Sequence, residues 1–155
     1  MKGRYHVLVN LIILGLITYV TTSSLDTVYI DWYILAVPIA TFSGLFPDSD
    51  VALMKIGPWV HRDIFWHSFL IPVISPILLI FFPEEIVLYS IGLFSIGYGA
   101  HLLFDFFPKM ELRGFGLIHV LSDAKSESWS LCWLAIGFLI SVILGAAIIT
   151  LIVLL

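Results

Sequence analysis

The sequence predicts an all-α integral membrane protein, a bundle of about five transmembrane helices with a cytoplasmic N-terminus. Three observations predict it. Of 155 residues, 61% are apolar and 12% charged, where a soluble domain carries roughly 45–50% and about 25%, and the mean hydropathy is +1.10. Five apolar segments approach the ~20 residues that cross ~30 Å of hydrocarbon. All seven Lys and Arg residues fall on one side of the topology those segments define, as the positive-inside rule requires. The whole chain then reads as a single membrane-embedded helical domain in the cytoplasmic (inner) membrane.

The first span covers about residues 7–20, behind Lys2 and Arg4. A cleaved leader opens in the same way, but Thr21-Thr22-Ser23-Ser24 offers no small-x-small cleavage site, so the segment reads as a span. The second covers about 28–46. The third, about 64–82, contains Pro72 and Pro76, which remove backbone donors and should kink it. The fourth, about 86–107, follows so closely that the two must form an antiparallel hairpin. The fifth, about 131–155, is long and uncharged. Lys2, Arg4, Lys55, Arg62, Lys109, Arg113 and Lys125 then lie inside, while Asp26, Asp31, Glu84 and Glu85 lie outside or at the outer boundary. Trp59, Trp66, Trp129 and Trp133 mark the inner interface, and Tyr29, Trp32 and Tyr33 the outer one.

Composition also excludes function classes. A net charge of −4 leaves no basic surface for nucleic acid. The single Cys132 excludes an internal disulfide and a multi-Cys zinc site.

The topology brings particular polar residues to one depth. The second span ends in Pro47-Asp48-Ser49-Asp50, the inner loop carries His61-Arg62-Asp63, the third span opens with Trp66-His67-Ser68, and the fourth returns with His101 and Asp105. His101 and Asp105, at i and i+4, share one helix face, and Gly97 one turn earlier would let a neighbouring helix approach. An ionised Asp in a span costs about 2.5–3.5 kcal/mol on insertion scales, so such residues pair or serve function. A divalent cation is a suitable partner. Imidazole with carboxylate suits a transition metal such as zinc or manganese better than calcium, and Asp48 with Asp50 could hold one ion or bridge two. Taken singly, each element has a structural explanation: Pro-Asp as a turn, His67 as a hydrogen-bonded interfacial group, His61-Arg62 as a solvated loop. Convergence favours a site. His6 and His119 read as surface groups, with no helical partner.

At these positions the chain resembles the YdjM-like, LexA-binding, inner-membrane-associated family classed as metal-dependent hydrolases. The matching blocks are Pro47-Asp48-Ser49-Asp50, His61-Arg62 with His67-Ser68, and the stretch Gly97-Tyr98-Gly99-Ala100-His101-Leu102-Leu103-Phe104-Asp105, within about residues 40–108. Val51, Asp63, Trp66 and Phe106-Phe107 depart from the family pattern. The resemblance implies metal ligation by the matched Asp and His residues and a distant kinship to zinc-dependent phospholipase C.

The expected function is a metal-dependent hydrolase at the cytoplasmic leaflet. Asp48, Asp50, His67, His101 and Asp105 would hold one or two divalent ions. His61 would be a further ligand or proton shuttle, Asp50 or Asp63 a general base, and Arg62 a phosphoryl clamp. The expected substrate is a phosphoester, which a lipid headgroup could supply, and membrane lipids are the expected surroundings. The alternative is a non-enzymatic anchor that binds a cytoplasmic protein. An ion or proton transporter fits less well, because the ionisable residues gather at one end.

Overall fold

The computed structural model describes residues 3–24, 30–49, 51, 65–105 and 127–154. Among these there are five helices and no strand. They are α1 (Gly3–Ser24), α2 (Ile30–Leu45), α3 (Leu70–Phe81), α4 (Glu85–Phe104) and α5 (Glu127–Leu154). At 1.5 Å per residue, α1, α4 and α5 reach about 30–42 Å, enough to cross the hydrocarbon layer. These three are long and apolar enough to span a membrane.

The other two apolar segments are interrupted by proline. Helix α2 stops at Leu45 because Pro47 cannot continue it, and Pro47–Ser49 form a 3-10 turn instead. The third segment is no simple kinked span. Residues 65–69 run as turns, and α3 is itself interrupted by a 3-10 stretch, Ser75–Ile77. The cause is Pro76, whose missing N–H would have bonded the carbonyl of Pro72. The Ser75 hydroxyl donates to that carbonyl instead, at 2.7 Å. Helix α3 therefore spans only about 18 Å, and a three-residue turn returns the chain into α4.

Helix α4 is the axis of the bundle, with twelve of its residues buried. Small residues allow this. A Cβ added at Gly145 of α5 would lie 2.6 Å from the Gly92 carbonyl, and one at Gly97 would collide with the Ser43 hydroxyl of α2. The helices touch backbone to backbone, the usual way apolar helices gain packing energy where lipid competes for their side chains.

Helix α1 carries two stripes at i+4 spacing. Leu8, Ile12 and Leu16 are exposed, and His6, Asn10, Leu14 and Thr18 are buried. The polar stripe faces inward because lipid surrounds the bundle, the reverse of a soluble helix. It is pinned by hydrogen bonds. Asn10 Nδ2 donates to Ser43 Oγ at 3.1 Å and to the Gly97 carbonyl at 3.0 Å, and Tyr89 Oη donates to Thr18 Oγ1 at 2.7 Å. Trp32 is buried and stacked on Tyr89, ring centroids 4.1 Å apart, so it is packing and not an interfacial anchor.

Candidate metal centre

The cluster is assembled where four elements end. Helix α1 contributes His6 from its first turn, the 3-10 turn after α2 contributes Asp48, the turns before α3 contribute His67, and the end of α4 contributes His101 and Asp105. All lie at the end of the bundle that the Lys and Arg distribution assigns to the cytoplasm.

His101 is the hub. Its Nδ1–H donates to the Gly44 carbonyl at 2.9 Å, one of the last four carbonyls of α2, which have no partner within their own helix. That bond commits the Nδ1 proton and turns Nε2 into the cluster. Nε2 then lies 3.2 Å from Asp105 Oδ2 and 3.7 Å from Asp48 Oδ1. The carboxylate of Asp105 is approached from two further sides, by His67 Nε2 at 3.8 Å and His6 Nε2 at 3.7 Å. The rings of His6 and His101 are stacked, centroids 4.0 Å apart. His6, His67 and His101 are all fully buried or nearly so, and Asp105 is 6% exposed, whereas the Asp48 side chain is 34% exposed and forms the rim.

These atoms fit a cation. Both nitrogens of His6, Nε2 of His101 and Oδ2 of Asp105 are buried without a hydrogen-bond partner among the described residues. Such groups are costly in an apolar interior. With its proton committed to Gly44, a neutral His101 presents a lone pair to a carboxylate oxygen, so a second proton or a cation must lie between them. Ligands 2.0–2.2 Å from a tetrahedral zinc are separated by about 3.4 Å, close to the spacings here. Two triads, His6–Asp48–His101 and His67–His101–Asp105, have their ligand atoms within 4.8 Å of one another. They share His101.

The supporting contacts explain the precision. The Tyr98 hydroxyl donates to the carbonyl of Trp66, and Trp66 packs edge-on against Phe46 at 5.3 Å, which holds the turn carrying His67. The Ser68 hydroxyl accepts the backbone N–H of Leu70 at 3.2 Å, securing the entry to α3.

Of the expected site residues, the structure brings Asp48, His67, His101 and Asp105 together. Asp50, His61, Arg62, Asp63 and His119 lie outside the described residues. His6 is a correction: it is buried against His101, not a surface group. The signal for it was the spacing of His6, Asn10, Thr18 and Thr22 along an otherwise apolar helix.

A family model described as YdjM inner membrane protein matches residues 1–154. No curated protein and no solved structure matches. The match covers far more than the motif-bearing stretch of residues 40–108, and the chain belongs to the YdjM inner membrane protein family.

Proposed function

We propose that this YdjM-family chain is a membrane-embedded, metal-dependent hydrolase working at the cytoplasmic leaflet on a phosphoester. The observation that carries the reading is the placement of His101 Nε2, turned by the Gly44 hydrogen bond towards the oxygens of Asp105 and Asp48 at 3.2 and 3.7 Å. A buried His–Asp set with one proton donor fixed on a backbone carbonyl is the arrangement metal-binding histidines adopt.

His67, His101 and Asp105 would hold one ion, and His6 with Asp48 would complete a second or enlarge the first. A divalent cation of the zinc or manganese type, when bound, supplies Lewis acidity and brings the pKa of a water towards ~7. The chain's own residues do the rest. Asp105, His6 and His67 form a water-poor floor, in which each electrostatic contact is stronger than at a surface. Asp48, on the partly exposed rim, is the side from which substrate and water enter. Asp50 is the general base of this proposal, His61 its proton shuttle, and Arg62 its bidentate clamp on a phosphoryl group.

Metal content measured by mass spectrometry on detergent-purified protein tests the reading, wild type beside His101→Ala and Asp105→Ala. One or two equivalents of a transition metal, lost in both variants, and phosphoester hydrolysis that follows the metal would support it. A wild type that takes up no metal on reconstitution overturns it, leaving the cluster as a protonated structural network.

A further inference from the structure

An apolar groove of ≈ 780 Å³ lies between α2, α3 and α4. Its lining runs from Leu35 and Ile39 on α2 up to Phe46 just beyond that helix, with Ile74 on α3 and Phe94 on α4. The two hydroxyls in its wall are already engaged: Ser75 donates to the Pro72 carbonyl and Ser90 to the Ile86 carbonyl, each at 2.7 Å. The groove therefore offers its occupant no polar partner.

We propose that this groove seats one acyl chain of a membrane phospholipid, with the lipid's phosphate at the Asp48 rim of the His–Asp cluster. Two features select that occupant. From Leu35 to Phe46 the wall rises about 16 Å along α2, roughly half of the ~30 Å hydrocarbon layer, the depth of one leaflet. The groove also ends at the cluster: Phe46 stands immediately before Pro47-Asp48, and Trp66 immediately before His67. Its short wall is a consequence of the interrupted α3, which leaves the side of α2 and α4 open to lipid. This assignment deepens the hydrolase reading by naming a lipid phosphoester as its substrate class, but the seating of the chain depends on neither metal nor turnover.

The test uses full-length protein in nanodiscs of phosphatidylethanolamine and phosphatidylglycerol doped with phosphatidylglycerol bearing a mid-chain diazirine. After photolysis, peptide mass spectrometry locates the label, with and without a chelator. Label concentrated severalfold on Ile39, Phe42, Ile74 and Phe94 over the open faces at Ile12 and Ile143, and unchanged by the chelator, is the expected result. Ile74→Trp, which fills the groove from a half-exposed position, should lower groove labelling severalfold. Ile39→Trp repeats the test from the opposite wall should that variant fold poorly. Label spread evenly over all lipid-facing residues overturns the proposal, as does chain-to-chain cross-linking through the groove. Groove labelling without metal uptake would sink the hydrolase reading alone. Metal-dependent hydrolysis of a soluble phosphoester without groove labelling would sink the lipid assignment alone.

Discussion

The imidazole of His6, in the first turn of α1, lies flat against that of His101, in the last turn of α4, with ring centroids 4.0 Å apart. Two buried rings in this relation, each with Nε2 within 4 Å of Asp105, form a nitrogen-rich wall on one side of a carboxylate. Helix α1 is therefore part of the site and not merely a membrane anchor.

Replacing His6 by Phe keeps an aromatic ring against His101 but removes both nitrogens. Metal affinity should fall by at least the roughly 10–100-fold typical of losing a supporting group at a metal site. Competition with a chromogenic chelator measures it. Unchanged affinity would show that His6 is packing.

Chelation should lower stability as well as occupancy. A ligand at 100 times its Kd contributes about 2.7 kcal/mol, so wild-type protein stripped of metal should unfold at a lower temperature in detergent. His101→Ala should show no such shift. Equal melting of stripped and loaded wild type would contradict a bound cation.

Gly97→Val should destabilise the bundle by about 1–3 kcal/mol through overpacking, because any Cβ at this position meets the Ser43 hydroxyl. Gly97→Ala combined with Ser43→Gly should recover much of the loss seen in Gly97→Ala alone. Thermal unfolding of the three variants decides whether that one contact sets the spacing of α2 and α4.

Asn10→Leu removes the hydrogen bonds to Ser43 and to the Gly97 carbonyl while keeping the volume. Interhelical bonds of this kind contribute about 0.6–2 kcal/mol in membranes, so unfolding should shift modestly. Metal uptake should persist, since the hydrogen bonds of Asn10 run to Ala40, Ser43 and Gly97 and to none of the proposed ligands. A complete loss of metal would mean that the register of α1 depends on this side chain alone.

How much was legible in the sequence followed the range of the interactions. His101 and Asp105 could be read directly, because i, i+4 spacing on a helix is a local fact. Asp48 could be read because Pro47 ends α2 beside it. His67 needed only the hairpin topology. His6 could not be placed, since nothing near it in sequence is its partner; its ring meets residues delivered by α4. Hydropathy likewise counted residues 64–82 as a span because it registers apolar content and not backbone path. Prolines and the turn around His67 divert that path, and the same diversion opens the groove. Trp32 was misplaced for a related reason: an aromatic near a span's end is an interface residue unless a partner such as Tyr89 lies opposite, and that partner comes from another helix.

The hydrogen bond from His101 to Gly44 gives one imidazole two duties. Its Nε2 faces the carboxylates of Asp105 and Asp48, and its Nδ1 donates to a carbonyl at the end of α2. A descendant of this chain that held no metal would still keep histidine at this position, since any residue unable to donate there strands a carbonyl at the end of a helix. Asp105 has no equivalent second duty for Oδ2, which accepts no hydrogen bond among the described residues. Across a lineage, drift at Asp105 would therefore record the loss of the proposed metal site sooner than drift at His101, and a surviving histidine alone would be poor testimony for that site.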